Sequence, residues 1–298
     1  MNILIIGSKG FIGTHCARIL GMENTVYGCD VVTDYVSAGY YQVDATNADY
    51  KDIFKSQQFD VCINCSGASS VPDSFNHPLR DFSLNTYNVI KILEAIKELQ
   101  PGCRFVNLSS AAVYGDPLKL PIAENFDLSP LSPYGFHKKY SEEIISEYSR
   151  FFNIKVCSLR IFSAYGPGLK KQLLWDIFIK SRSETEVKLF GNGNETRDFI
   201  HIIDIVNAIN IIINDGSFSS GVYNVASGKA ISVDEIAQKL LTELNYKGKL
   251  SYTETQRAGD PIKWQADISA LKALGFEPAY DIDLGIKNTA EWLKGLDL

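Results

Sequence analysis

The chain has 298 residues, 45% hydrophobic, 21% charged and 11% aromatic, which is enough for a sizeable core in one large domain or two. Its net charge of −6 argues against broad nucleic-acid binding but leaves room for an acidic ligand held by a few arginines. No apolar run approaches membrane-spanning length, and the N-terminus shows neither the basic region nor the cleavage site of a secretory signal. A cytoplasmic protein that engages neither membrane nor nucleic acid is expected.

The first half alternates short apolar strands with helical segments, the pattern of a parallel, doubly wound sheet. Ile3 to Ile6 reads as the first strand, Gly13 to Leu20 as most of the first helix, and Thr25 to Cys29 as a second strand ending at Asp30. Val61 to Asn64 and Arg104 to Leu108 read as buried strands, with a helical run from Leu84 to Leu99 between them that stops before Pro101 and Gly102. A helix around Tyr134 continues through residues 139–152, and Lys155 to Arg160 follows as a strand. After Tyr165-Gly166-Pro167-Gly168 the pattern loosens. A helix with Trp175 and Phe178, the run Val187 to Phe190 and the turn-rich Gly191-Asn192-Gly193-Asn194 suggest a smaller second lobe. Ile202 to Ile213 is apolar and helical. The expected division is a nucleotide-binding domain over 1–165 and a mainly substrate-binding lobe over 166–298, with about 197–225 packing back on the first domain.

Six cysteines are scattered at 16, 29, 62, 65, 103 and 157, which suits a reducing compartment. Cys62 and Cys65 form a lone CxxC without a second pair or a histidine cluster, so core cysteines are expected and no metal site.

Gly7-Ser8-Lys9-Gly10-Phe11-Ile12-Gly13 follows the first strand and opens the first helix. Glycines there allow a tight turn, close backbone approach to a pyrophosphate, and helix–sheet packing. The anion would meet the free N–H groups and positive dipole of the helix N-terminus. The spacing is GxxGxxG, one residue longer in the turn than GxGxxG. Asp30 lies 17 residues beyond Gly13, where a carboxylate accepts from both ribose hydroxyls and repels a 2′-phosphate. NAD is therefore expected rather than NADP.

Tyr134 and Lys138 lie four apart, on one face of a helix, 24 and 28 residues after Ser110. An ammonium beside a phenol favours the phenolate, and a serine hydroxyl meeting the same substrate oxygen would complete a proton-transfer site. The spacing alone is weak, because Tyr87 and Lys91 repeat it. That second pair has Ile63 at the position equivalent to Ser110 and falls within a long helix, so it reads as structural.

These motifs stand in an order that resembles the extended short-chain dehydrogenase/reductases, the NAD-dependent nucleotide-sugar epimerase and dehydratase family. The resemblance runs nearly end to end. It rests on Gly7/Gly10/Gly13, Asp30, Asp44, Asn64-Cys65-Ser66-Gly67, Asn85, Ser110 with Val113-Tyr114-Gly115, Tyr134/Lys138 and Arg197-Asp198-Phe199. Tyr223-Asn224-Val225, Arg257-Ala258-Gly259-Asp260 and Leu274-Gly275-Phe276-Glu277-Pro278 follow. It implies a Rossmann sheet with a smaller interleaved C-terminal substrate lobe. It also implies that Tyr134 is the acid/base, that Lys138 binds the nicotinamide ribose and depresses the tyrosine pKa, and that Ser110 orients the substrate oxygen. Phe11 and Ile12 in the glycine loop, Asp44, Cys65, Ser66, Gly67 and Asn85 would line the cofactor. Ser69, Ser163, Arg197 and Arg257 would meet the substrate, the arginines gripping its diphosphate bidentately. A homodimer built from helices near 84–99 and 136–152 is a further implication.

Sugar 4,6-dehydratases of this family carry Thr-Asp-Glu before Val-Tyr-Gly. This chain has Ser110-Ala111-Ala112, so dehydration is not expected. The pattern resembles the 4-epimerases, in which C4 is oxidised to a transient ketone and re-reduced on its other face. A 4-keto-6-deoxy-sugar reductase would use the same Ser/Tyr/Lys set in one direction, and a non-catalytic NAD-binding sensor is a third reading. The chain departs from the epimerase pattern at Ser163, where asparagine is usual, at Asn88 and Val89, and at Ser69, where some relatives carry lysine.

Overall fold

The computed structural model describes residues 1–44 and 47–297. Its centre is a seven-stranded parallel sheet in the order β10-β6-β5-β4-β1-β2-β3. The strands are β1 Asn2–Ile6, β2 Thr25–Asp30, β3 Tyr40–Gln42, β4 Val61–Asn64, β5 Arg104–Ser110, β6 Val156–Ile161 and β10 Ser219–Val225. Side chains alternate across a strand, so Ile3 and Ile5 of β1 enter the core on one face while Leu4 and Ile6 enter the core on the other. Helices cover both faces, as a parallel sheet requires.

On the first face lie α1 (Phe11–Leu20) and α8 (Ile202–Asp215). Helix α8 buries Ile202, Ile205, Val206, Ile209, Ile212 and Ile213, a stripe at helical spacing. On the second face lie α2 (Lys51–Ser56), α5 (Asn88–Leu99) and α6 (Pro133–Phe152). Two short helices, α3 (Val71–Asn76) and α4 (Pro78–Phe82), precede α5. The helical run expected over 84–99 begins as a π-helical turn, Ser83–Tyr87, that leads into α5. A wider turn keeps the same apolar spacing over one turn, so the sequence pattern does not distinguish it.

The remaining elements gather around a separate apolar cluster. They include β7 (Ser163–Tyr165), α7 (Gln172–Ser183), β8 (Glu186–Leu189) and β9 (Thr196–His201). After β10 come β11 (Ala230–Ser232), α9 (Val233–Glu243), β12 (Lys249–Tyr252) and α11 (Ile282–Lys294), whereas α10 (Ser269–Lys272) places Leu271 in the first-face core of the large sheet. Strand β9 sits between β7 and β11, and β8 pairs with β12. Leu174, Ile177 and Phe178 of α7, Ile236 and Leu240 of α9, and Ile286 and Leu293 of α11 fill this second core. A further cluster holds Tyr114, Phe162, Trp264 and Ile268.

Among the described residues no helix is long and apolar enough to cross a membrane, and no His/Cys/Asp/Glu group could hold a metal ion. Cys62 lies in β4 with its thiol in the core.

Candidate active site

The strand order reverses between β1 and β4, and in such sheets ligands bind in the crevice beyond the carboxyl ends of the strands at that point. Gly7 leaves β1 there with φ +81, and a Cβ built on it would lie 2.7 Å from the Ser66 nitrogen beyond β4. Only glycine fits that turn. A Cβ on Gly13 would lie 2.1 Å from the Gly7 carbonyl, so the first turn of α1, opened by Gly10, Phe11 and Ile12, folds tightly onto the loop.

Asp30, at the end of β2, fixes the neighbouring loops. Its carboxylate accepts from the backbone N–H of Lys9 at 2.8 Å and of Val31 at 2.7 Å. Lys9 in turn forms an ion pair with Asp34. Asp44 follows β3 and accepts from the N–H of Asn47 at 2.8 Å. Ser66 donates to Asn64 at 2.6 Å and accepts from Asn88 at 3.1 Å, which fixes the Cys65-Ser66-Gly67 corner.

Two observations mark this crevice as built for a polar ligand. Asn85, in the π-helical turn, is 2% exposed, yet its amide oxygen and nitrogen both lack partners. The buried Ser8 hydroxyl lacks one too. Buried polar groups left unpaired are costly, so a ligand that meets them is favoured. Asn85 also packs against Gly67, where a Cβ would come within 2.4 Å of its amide oxygen. The glycine cradle, the free helix N-terminus, Asp30 and these unpaired groups fit a dinucleotide.

Helix α6 is cut sharply at both ends. Ser132 caps its start by accepting from the Gly135 N–H at 3.2 Å, Pro133 occupies the first turn, and Asn153 closes it in the left-handed conformation. The helix carries Tyr134, His137, Lys138 and Glu142 into the interior. Ser110 ends β5, accepts from the Ala112 N–H at 3.2 Å, and draws down the pKa of the Tyr134 phenol. The three predicted residues are thus brought together, but with an electrostatic balance different from the expected one. Burial pushes the Tyr134 phenol up to about 12, Ser110 pulls it down, and the Asp81 carboxylate pushes it up. Lys138 is not among the groups that hold the phenol down. Its ammonium donates to the Leu108 carbonyl at 2.8 Å and lies 6.0 Å from the phenol ring centroid. Burial lowers Lys138 to about 8, against the carboxylates of Asp81 and Glu142. The depression of the tyrosine expected from Lys138 is not what these residues produce by themselves, because desolvation raises the phenol.

Tyr87 and Lys91 are a surface pair, with the ammonium 5.0 Å from the ring centroid and Tyr87 half-exposed.

A cavity of about 600 Å³ opens against β7, and Ser69, Ser163, Arg197 and Arg257 all line it. That volume is in the range of small-molecule sites. Arg197 lies over Trp264, 5.8 Å from the ring centroid, and Arg257 over Phe190 at 4.6 Å, so their aromatic neighbours hold the guanidinium planes. Asp198, beside Arg197, points inward and accepts from Ser227, Gly228 and Ala266, tying three segments behind the cavity.

Three groups near the site were not singled out from sequence. Lys171 reaches across the cavity mouth and donates to Ser69 at 2.6 Å. His137 pairs with the buried Asp81 at 2.6 Å, while the other Asp81 oxygen has no partner. Arg160 of β6 grips Glu142 through contacts of 2.7, 3.1 and 3.2 Å and also donates to the Tyr114 hydroxyl. The available signal for that pair was Glu142 lying four residues after Lys138 on the same helix face.

Known proteins match over the whole length of the chain. A putative UDP-glucose 4-epimerase of Methanocaldococcus jannaschii is 29% identical over 309 residues, covering 98% of each chain. A UDP-glucuronate 4-epimerase of Thermodesulfobacterium geofontis is 29% identical, covering 98% of this chain and 95% of its own. The crystal structure of a UDP-glucose 4-epimerase with UDP-glucose from Thermotoga maritima superposes with a TM-score of 0.90 at 26% identity, over 99% of both chains. Residues 3–226, which hold the glycine cradle, Ser110, Tyr134, Lys138 and Arg197, match the NAD dependent epimerase/dehydratase family, and the chain belongs to that family.

Proposed function

We propose that the protein is an NAD-dependent nucleotide-sugar 4-epimerase. The observation that carries this is the gathering of Ser110, Tyr134 and Lys138 at the carboxyl end of β5, supported by a cavity lined by Ser69, Ser163, Arg197 and Arg257. Relatives named as UDP-glucose and UDP-glucuronate 4-epimerases support the same reading.

Asp30 would hold the adenosine ribose hydroxyls, with Asp44 at the adenine end. Gly7, Gly10, Phe11, Ile12 and Gly13 would receive the pyrophosphate, and Cys65, Ser66, Gly67 and Asn85 would line the nicotinamide half. NAD, when bound, supplies an acceptor and then a donor of hydride at the sugar C4. Tyr134 takes the proton of the C4 hydroxyl and later returns it. Ser110 holds the C4 oxygen at the phenol, and Lys138 orients the adjoining ribose while adding positive charge. Arg197 and Arg257 hold the diphosphate at the other end of the cavity, which leaves the 4-keto sugar free to turn over between them. The lobe over 166–298 supplies most of the substrate contacts, and 1–165 most of the cofactor contacts.

A homodimer is part of this proposal. Tyr87 before α5, and Phe136, Tyr140, Phe151 and Phe152 on α6, are exposed aromatics on the paired helices. Six unpaired cysteines suit a cytoplasmic location.

The test is incubation with UDP-glucose, UDP-N-acetylglucosamine or UDP-glucuronate and NAD, without reductant, followed by NMR of the sugar. A C4 epimer is the expected product. Stoichiometric oxidation of NADH by a nucleotide-linked 4-keto-6-deoxy sugar, with no epimer formed, would select the reductase instead.

A further inference from the structure

We propose that Lys171 forms an anion-reading subsite at the catalytic end of the cavity, and that it selects nucleotide sugars whose hexose carries a carboxylate. This rests on the nucleotide-sugar reading above.

The cavity brings together two sets of side chains. Arg197, Arg257 and Phe190 form one. Ser69 and Ser163 form the other, tied through the chain to the catalytic cluster. Ser69 follows Gly67 by two residues, and a Cβ on Gly67 would lie 3.6 Å from the Lys138 ammonium. Ser163 starts β7 just past Ile161, the residue paired with Ser110 across β5 and β6.

Lys171 stands in the loop between β7 and α7 and reaches the Ser69 hydroxyl at 2.6 Å. Its charge therefore lies with the serine set. The two arginines have internal counter-charges, since Asp260 and Glu195 act on Arg197, and Arg197 and Arg257 both act on Asp260. Lys171 differs. It lines the cavity with its ammonium on Ser69, and no carboxylate of the described residues acts on it. An ammonium that lines a cavity without a counter-charge favours an anionic ligand. The diphosphate is answered by the two arginines, so the anion for Lys171 is a further one, on the hexose. A carboxylate at C5 of the sugar has the required charge and can displace or share the Ser69 hydroxyl. Lysine has three donors, and Ser69 takes only one.

The test is calorimetric binding of UDP, UDP-glucose and UDP-glucuronate in the presence of NAD, in a Tyr134→Phe background to prevent turnover. UDP-glucuronate is expected to bind at least about tenfold tighter than UDP-glucose. Lys171→Met should erase that preference while changing the affinities for UDP and UDP-glucose by less than about twofold, and Lys171→Arg should keep most of it. Equal weakening of all three ligands by Lys171→Met would place the lysine on the diphosphate and overturn the proposal. So would equal affinity for the two sugars before mutation. Failure of all three to bind would instead remove the nucleotide-sugar reading on which it rests.

Discussion

Lys138, one helical turn beyond Tyr134, donates to the carbonyl of Leu108, and Ser110 is the group that draws the phenol down. The phenol is therefore protonated across the neutral range, with burial holding it at about 12. A proton acceptor is useful only near the working pH, so positive charge must arrive with the cofactor. Oxidised nicotinamide carries it. Adding NAD between pH 7 and 9 should raise tyrosinate absorbance near 295 nm, and the rise should vanish in Tyr134→Phe (the wavelength is about that of any phenolate). Tyr134→Phe should also lower kcat by about 10²- to 10⁴-fold with a smaller change in KM. An unchanged spectrum together with full activity in that variant would remove Tyr134 from the chemistry.

The helix that carries this pair is held by a charge pair further along. Glu142 and Arg160 are both buried, joined by three contacts, and Glu142 also accepts from Ser109. Removing one partner of a buried pair leaves the other charge unmet, at a cost of about 3–5 kcal/mol, whereas replacing both with apolar groups costs less. Glu142→Gln should lower unfolding free energy by about 3 kcal/mol in urea and reduce kcat with it, because α6 loses its anchor to β6. The double variant Glu142→Met/Arg160→Met should recover part of that stability. Tyr114 keeps its bond to Asn224 at 2.7 Å in either case. Equal stability of all three proteins would show that the pair carries no anchoring load.

The parts legible from sequence are those written locally. Gly7, Gly10 and Gly13 lie within seven residues between a strand and a helix, and that placement fixes a turn whichever way the rest folds. The apolar runs of β1, β4 and β6 and the stripe of α8 are similarly self-contained. Strands β7 and β11 have three residues each, too few to establish a period, and they escaped notice. Pairs joined by topology were also hidden. Ser69 and Lys171 are 102 positions apart, and Asp81 and His137 are 56 apart. Nothing local in either partner announces the other. The direction of the Tyr134 shift was missed for a related reason. Helical spacing places an ammonium near a phenol, but the depth of burial that outweighs it depends on strands and loops brought in from elsewhere.

Asp30 binds the backbone of Lys9 and Val31, and it is also the residue proposed to meet the ribose. Asp30→Asn should raise the Kd for NAD about ten- to hundredfold, the scale of a lost charged hydrogen bond. NADP should behave differently. Its 2′-phosphate is repelled by the wild-type carboxylate, and the nearby Lys9 is already paired with Asp34. Removing the Asp30 charge should therefore leave NADP affinity unchanged or improved, so the ratio between the cofactors narrows. Calorimetry with both cofactors reads this directly. A parallel fall for NAD and NADP would mean that Asp30 acts only by shaping the glycine loop.

His201 gives the fold an acid limit. It is 1% exposed, stacked on Tyr280 at a centroid distance of 3.9 Å, bonded to Asn288 at 3.1 Å, and it caps α8 at the Ile203 N–H. Burial lowers its pKa to about 4, against about 6.5 in an unfolded chain. The unfolded state therefore binds more protons between those values. The stabilising contribution is complete above about pH 6.5, declines as pH falls, and is lost by about pH 4. The shift corresponds to about 3 kcal/mol. His201→Asn keeps a capping side chain but cannot titrate, and it gives up the ring stack. It should be less stable than the parent at pH 7, and the gap should shrink steadily in urea unfolding at pH 6, 5 and 4.5. Two stability curves that stay parallel over that interval would show that protonation of His201 is not what limits the fold in acid.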